Sequence, residues 1–470
     1  MCQSKLPVII QGGMGVNISS PELAKTVSKL GHLGTVSGTA LEWLMVRRLQ
    51  MGDPGEHFRR ALAGFPFQDM VKEIMHKFYV KGGIPKDAPF KGIPHIGFNP
   101  SNLFIALVIC ANFAVVRLAK EGHDNPVSIN YLEKIALPHV HALFGAIMGG
   151  VDVVTMGAGI PLQIPALIND IVEGNVCGYT VPVAGTEIRS SRISFDPEQF
   201  FGEKQKNLTR PKFLPIISSN LLANLFLKKS PEGSVDGFVV EEPTAGGHNA
   251  PPRKVDPNAK PGDPPVYGEK DIVDYGEMAK LGIPFWIGGS NASPEKLRYA
   301  RSVGAAGIQA GSIFALAEES GMEPALRARI RKAAYDNEIN IRTDSRISPT
   351  GFPFKLAEVD GTIAESTVYE GRVRICNKGL LVTPYEKEGG RIGYRCAAEP
   401  EDKFIHKGGN PDEVAGRGCL CNGLLATAGV GDPVEPPIIT LGDDLSFLRK
   451  LMTHNTGSYT AEDAINYLLS

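Results

Sequence analysis

The chain has 470 residues, 43% of them hydrophobic and 21% charged, with a formal net charge of -2. That length can bury a large core. The near-neutral charge excludes nucleic acid as the main partner, because phosphate binding needs a concentrated basic surface. Fifty-three glycines and 35 prolines fit many short loops between many elements.

At the N-terminus, Met1-Cys2-Gln3-Ser4-Lys5 runs straight into Leu6-Pro7-Val8-Ile9-Ile10. It shows no charged start, apolar stretch or small-residue cleavage site, so no secretory leader is expected. The longest apolar stretch, residues 103–116, is interrupted by Asn112 and reads as too short to span a bilayer. The default expectation is a cytoplasmic, reducing setting with no membrane partner. The seven cysteines are then thiols or metal ligands rather than disulfides.

A strand–glycine–helix rhythm follows. Residues 8–11 read as a strand, followed by Gly12-Gly13-Met14-Gly15 and a helix opened by Ser20-Pro21-Glu22, with proline at its first position. Further strands are expected at 34–38, 128–131, 151–157, 213–218, 235–240, 284–289 and 306–311, with a helix from Ser293-Pro294-Glu295 between the last two. Residues 106–110 suit a ninth strand or part of a helix, and periodicity does not choose. Strands alternating with helices in about eight units predict a (β/α)8 TIM barrel over residues 1–320. Residues 41–100 read as an inserted helical and loop segment, and the proline-rich stretch 249–268 as a lid-like loop. Beyond about residue 320 the rhythm stops, and 321–470 reads as an appended, cysteine-containing C-terminal extension.

The most informative segment is Thr244-Ala245-Gly246-Gly247-His248. It leaves the sixth barrel strand, where two glycines let backbone approach a ligand and His248 reaches the C-terminal mouth, the usual ligand side of such barrels. Gly288-Gly289-Ser290 and Gln309-Ala310-Gly311-Ser312 leave the last two strands. Their bare N–H groups, with the start of the following short helix, suit a phosphate. Gln11-Gly12-Gly13-Met14 lets backbone pass close to a flat ring. Asn130, ending an apolar strand, offers a polar group to the mouth, and Asn112 serves equally on sequence grounds. Cys376, Cys396, Cys419 and Cys421 fall within 46 residues of each other, but not at ordinary zinc-site spacing. Four thiolates would suit zinc or an iron–sulfur cluster, but the reading preferred is buried small residues, with no metal ligand expected. His406 and His454 read as surface residues.

In their order and spacing these motifs resemble the nitronate monooxygenase (2-nitropropane dioxygenase-like) family of FMN-dependent TIM-barrel flavoproteins, which includes FMN-dependent enoyl-ACP reductases. The anchors are residues 9–15, Ala245-Gly246-Gly247-His248, Gly288-Gly289 and residues 309–312. The resemblance implies FMN as cofactor. The flavin contacts would come from Gln11, Gly12, Gly13, Met14, Asn130, Glu241, Gly246, Gly247, Gly288, Gly289, Gln309, Ala310, Gly311 and Ser312. Asn130 would hydrogen-bond the flavin and Gly246 touch it through backbone. Gly289 and the 309–312 turn would hold the phosphate, and His248 would be catalytic. The family's glutamine, five residues before the first glycine of the histidine motif, is here Glu241, a carboxylate that would disfavour negative charge on the flavin.

The implied activity is oxidation of alkyl nitronates or nitroalkanes with dioxygen, His248 acting as general base near its working pH. The alternative is reduction of an enoyl thioester with NAD(P)H. A third reading is a non-catalytic flavin-binding scaffold.

Overall fold

The computed structural model describes residues 6–185, 190–254, 257–258, 260 and 262–470. Readings of residues 1–5, and of four positions inside the 249–268 loop, lie outside the described residues. Eight strands form one parallel sheet: β1 (Ile9–Gln11), β2 (Gly34–Ser37), β3 (Val127–Leu132), β4 (Val153–Gly157), β5 (Lys212–Ile217), β6 (Phe238–Glu241), β7 (Phe285–Gly288) and β8 (Gly307–Ala310). Each pairs with its neighbours in sequence, and β8 pairs with β1. Two backbone bonds, Gln11 N–H to Leu33 O (2.9 Å) and Leu33 N–H to Ile9 O (3.1 Å), join β1 to the start of β2. The sheet therefore closes on itself as a TIM barrel, and every barrel strand lies on a run expected from sequence.

The alternation of side chains explains the closure. Ile10, Leu33, Val153, Leu214, Val239 and Trp286 meet inside the barrel as one apolar cluster. Their sequence neighbours Ile9, Val154, Phe213, Val240 and Ile287 face outward, into the larger core under the helices. Burying one such side chain is worth roughly 1.5–3 kcal/mol, so each strand is held from both faces. The Trp286 indole donates to Pro7 O at 2.8 Å, tying the chain's entry into the barrel to β7.

The helices start where the sequence says. Ser20 caps Leu23 N–H (3.0 Å) at α1 (Pro21–Lys29). The open question over residues 106–110 is settled as helix: they lie in α2 (Asn102–Ala119), capped by Ser101. This helix is long and apolar enough to cross a membrane by length and composition, contrary to the sequence estimate, but 83% of it is buried inside the protein. It is a core helix. Gly145 lets the neighbouring helix His139–Met148 cross it closely, since a Cβ there would stand 2.3 Å from Ile109 O. The segment read as an insertion holds helices Leu41–Gln50, His57–Leu62 and Gln68–Phe78.

The C-terminal region packs back onto the barrel helices. After α3 (Pro294–Ser302) and β8, the chain runs through two short antiparallel hairpins, Ile341–Asp344 with Phe354–Ala357 and Thr383–Glu386 with Ile392–Arg395. It then forms α4 (Leu420–Thr427) and ends in α5 (Ala461–Leu469). Helix α5 packs against both α1 and α3. That slot, between the helices following β1 and β7, is where the eighth helix of a barrel ring belongs. The final helix thus completes the ring.

Candidate functional site

One pocket opens at the C-terminal mouth of the barrel. It is lined by Gly12, Gly13, Met14, Asn130, Glu241, Gly246, Gly247, His248, Gly288, Gly289, Gln309, Gly311 and Ser312, so residues read from five separate strand ends converge there. Two expected contacts do not line it. Gln11 is fully buried and spends its amide beneath the turn, donating to Ser19 Oγ (2.8 Å) and accepting Thr35 N–H (2.9 Å). Ala310 faces the outer core under the helices and accepts Gly12 N–H through its carbonyl at 2.8 Å. Both brace the glycine turn. Asn112 is also away from the mouth: it bonds Val108 O and accepts the Tyr131 hydroxyl at 2.7 Å. Asn130 is the pocket residue of the two, its Oδ1 fixed by the Thr155 hydroxyl at 2.9 Å.

The glycines have steric causes. A Cβ on Gly13 would lie 2.2 Å from Asn130 Cβ. Gly289 has φ +135°, and a Cβ would stand 2.8 Å from Thr244 Oγ1 and 2.9 Å from Glu242 Cβ. Glu242 itself faces out of the pocket, held by Tyr275 (2.6 Å) and Asn291 (3.0 Å).

Glu241 and His248 line the mouth, and Lys134 lies near enough to act on both through its charge. His248 is buried, packs edge-on against Phe354 at 5.0 Å, and shares a hydrogen bond with Ser348 Oγ at 2.7 Å. Burial, helped by nearby Lys134, pushes its imidazole down to about 3. It is therefore neutral at pH 7 but a far weaker base than the sequence reading supposed. Burial drives the Glu241 carboxyl up to about 8 against the pull of Lys134, so near neutrality it is protonated and uncharged. Near neutrality Glu241 thus brings no negative charge to the pocket: a protonated glutamic acid donates a hydrogen bond much as glutamine does. Lys134 is brought down to about 8 by burial, partly offset by Glu133 and Glu241, and donates to Ala158 O at 2.7 Å.

Several site residues escaped the sequence reading. Lys134 follows β3 by two positions, and its place just past a barrel strand was the available signal. The second wall of the pocket had no such signal. Leu380, Leu381, Leu420, Cys421, Leu424, Thr440, Leu441 and Gly442 form it, all beyond residue 320. Thr440 Oγ1 takes the Gly247 N–H at 2.7 Å, and Ser312 Oγ takes the Gly442 N–H at 2.8 Å. The described part of the 249–268 loop lies beside Glu241, where Tyr267 bonds Ala250 O at 3.0 Å.

No family model matches the chain, and no curated protein sequence does. Among solved structures it is similar to FabK from Thermotoga maritima, at 15% identity over 98% of this chain and 91% of that one, with a TM-score of 0.44. It is also similar to nitroalkane oxidase from Streptomyces ansochromogenes, at 12% identity over 100% and 96% of the two chains, with a TM-score of 0.45. A third likeness is the enoyl reductase domain of MlnA from Bacillus amyloliquefaciens, at 12% identity, 77% and 66% coverage and a TM-score of 0.40. Likenesses at this level carry no weight beside the chain's own strand order and pocket.

Proposed function

We propose that this protein is an FMN-dependent oxidoreductase that reduces an enoyl thioester at the expense of NAD(P)H. The pocket suits an anionic flavin. Glycine turns leave β1, β6, β7 and β8 where backbone must come close. Among the described residues the one acidic side chain lining the pocket, Glu241, is protonated near neutrality. Gly246, Gly289 and the 309–312 turn would hold the phosphate end, and Gly12, Gly13 and Asn130 the ring. The bound flavin would supply hydride transfer.

The observation that supports reduction over oxidation of a neutral nitroalkane is the protonation of the mouth. Near pH 7, Glu241 carries its proton, Lys134 is an ammonium, and His248 keeps one N–H with little affinity for another. All three can give a hydrogen bond, and none is a ready base. Oxidising a neutral nitroalkane begins by removing a proton from carbon. Reducing an enoyl thioester adds a hydride at the β-carbon, builds negative charge on the carbonyl oxygen and needs a proton at the α-carbon. His248 and Glu241 would stabilise that oxygen, and Lys134 would supply the proton. Oxidation of a preformed alkyl nitronate is the second reading, because that substrate has already lost its proton and its oxygens suit the same donors.

The deciding experiment is anaerobic mixing of the purified flavoprotein with NADH or NADPH, then with a short enoyl thioester. Fast flavin bleaching, reversed by the thioester, is the expected result. Bleaching by alkyl nitronate alone would transfer the assignment to the monooxygenase; bleaching by neither would leave a flavin-binding scaffold. Flavin released by heat should be FMN; FAD, or none after growth with riboflavin, would overturn the cofactor.

A further inference from the structure

Four of the seven cysteines come together in the C-terminal region, although they stand on three separate segments of chain. Cys376 precedes the Thr383–Glu386 hairpin strand, Cys396 directly follows its partner Ile392–Arg395, and Cys419 and Cys421 flank the start of α4. Cys396 and Cys419 share one buried cluster, with Cys376 and Cys421 packed against it. All four are free thiols. From this convergence we infer that Cys376, Cys396, Cys419 and Cys421 form a tetrathiolate metal centre, taking zinc or an iron–sulfur cluster.

The surroundings are those of sulfur carrying negative charge. Backbone N–H groups reach two of the sulfurs, from Ala398 to Cys396 and from Asn422 to Cys419. The Asn422 side chain adds a second donor to Cys419 Sγ at 3.3 Å. Lys378 acts on Cys419 and Arg417 on Cys396 through their charges. Arg372 Nε and Nη1 and Arg374 Nε, from the segment leading to Cys376, are buried without a hydrogen-bond partner. Such buried polar groups are costly unless something pairs them.

The thiols interact most strongly as two pairs, Cys376 with Cys396 and Cys419 with Cys421. Among the described residues no three His, Cys, Asp or Glu side chains yet point at one centre. Binding therefore requires these side chains to turn from their pairs onto a shared cation, releasing their protons. Sharing is possible because the four sulfurs already belong to one packed group brought together from three segments. The stretch needs a staple on other grounds. Between the two hairpin strands and α4, the small clusters consist of Cys396, Ala398 and Cys419, and of Ala397, Phe404 and Val414. A core that small is the setting in which thiolate-bound metals supply folding energy.

The test uses the full chain, expressed with zinc and iron supplied and purified anaerobically without chelator. About one zinc per chain is expected, or iron with matching acid-labile sulfide and a brown absorbance. An organomercurial should release that metal in step with four thiol equivalents in the unmodified protein, which keeps the proposal testable where variants fail to fold. Cys419→Ser and Cys396→Ser should lose the metal; Cys110→Ser and Cys177→Ser should keep it. Folded, metal-free protein whose four cysteines react freely, or mapped disulfides among them, would overturn the site. So would metal retained by both Cys419→Ser and Cys396→Ser. Flavin content is measured separately, so a failure here leaves the proposed function standing.

Discussion

The pocket has two walls of different make. The barrel wall is backbone: glycines leave strand ends, and packing forbids a side chain at Gly13 and Gly289. The opposite wall is side chain, the leucines of residues 380–381, 420–424 and 441, joined to the first at Thr440 and Gly442. A backbone wall must be written with glycine at fixed offsets from strands, whereas a side-chain wall can be drawn from any apolar position the fold brings near. The first is therefore suited to the polar contacts of the proposed flavin and the second to its apolar cover.

The sharpest break in that comparison is Gly289→Asp. It puts a charged side chain where Thr244 and Glu242 leave no room, at a φ that L-residues avoid. Flavin content of the folded protein should fall to background. His248→Ala comes next. It should keep its flavin, because no flavin contact is assigned to the imidazole, but lose about 10²–10³-fold in kcat/KM, the cost of one lost donor to developing charge. With His248 lying at about 3, wild-type activity should show no histidine limb between pH 5 and 7.

Leu441→Ala tests the second wall. Leu441 is 1% exposed, so truncation should cost about 2–5 kcal/mol in unfolding free energy and loosen flavin binding without abolishing it. Glu241→Gln should be mildest, holding activity at pH 7 within a few-fold, because a neutral donor replaces a neutral donor. Its signature is in stability. A carboxyl raised on folding contributes stability that is full below about 4.5 and is lost as pH rises through about 8. The variant should match wild type at acid pH and melt higher than wild type at pH 9; parallel melting curves would mean Glu241 ionises freely.

The barrel was legible because its signals are local. Ser20-Pro21-Glu22 and Ser293-Pro294-Glu295 open helices, and apolar runs ending in glycine mark β1, β7 and β8. Residues 106–110 stayed ambiguous because α2 is apolar all round, so its periodicity is masked. The basicity of His248 and the protonation of Glu241 were not legible, since both follow from burial and from Lys134, whose approach depends on the closed barrel. Nor was the joining of residues 440–442 to the mouth, for Leu441 in sequence is an ordinary leucine. The grouping of the four cysteines was half visible: their density was plain, but their meeting required two hairpin ends and a helix start to converge.

The bond from Gly442 to Ser312 spans 130 residues of sequence. During synthesis the barrel strands emerge first, and the wall that covers their mouth follows only after those 130 residues are added, about 7–26 s later at ordinary elongation rates. A flavin bound as proposed would therefore load in order: it would enter a mouth still open, and closure by residues 440–442 would then retain it.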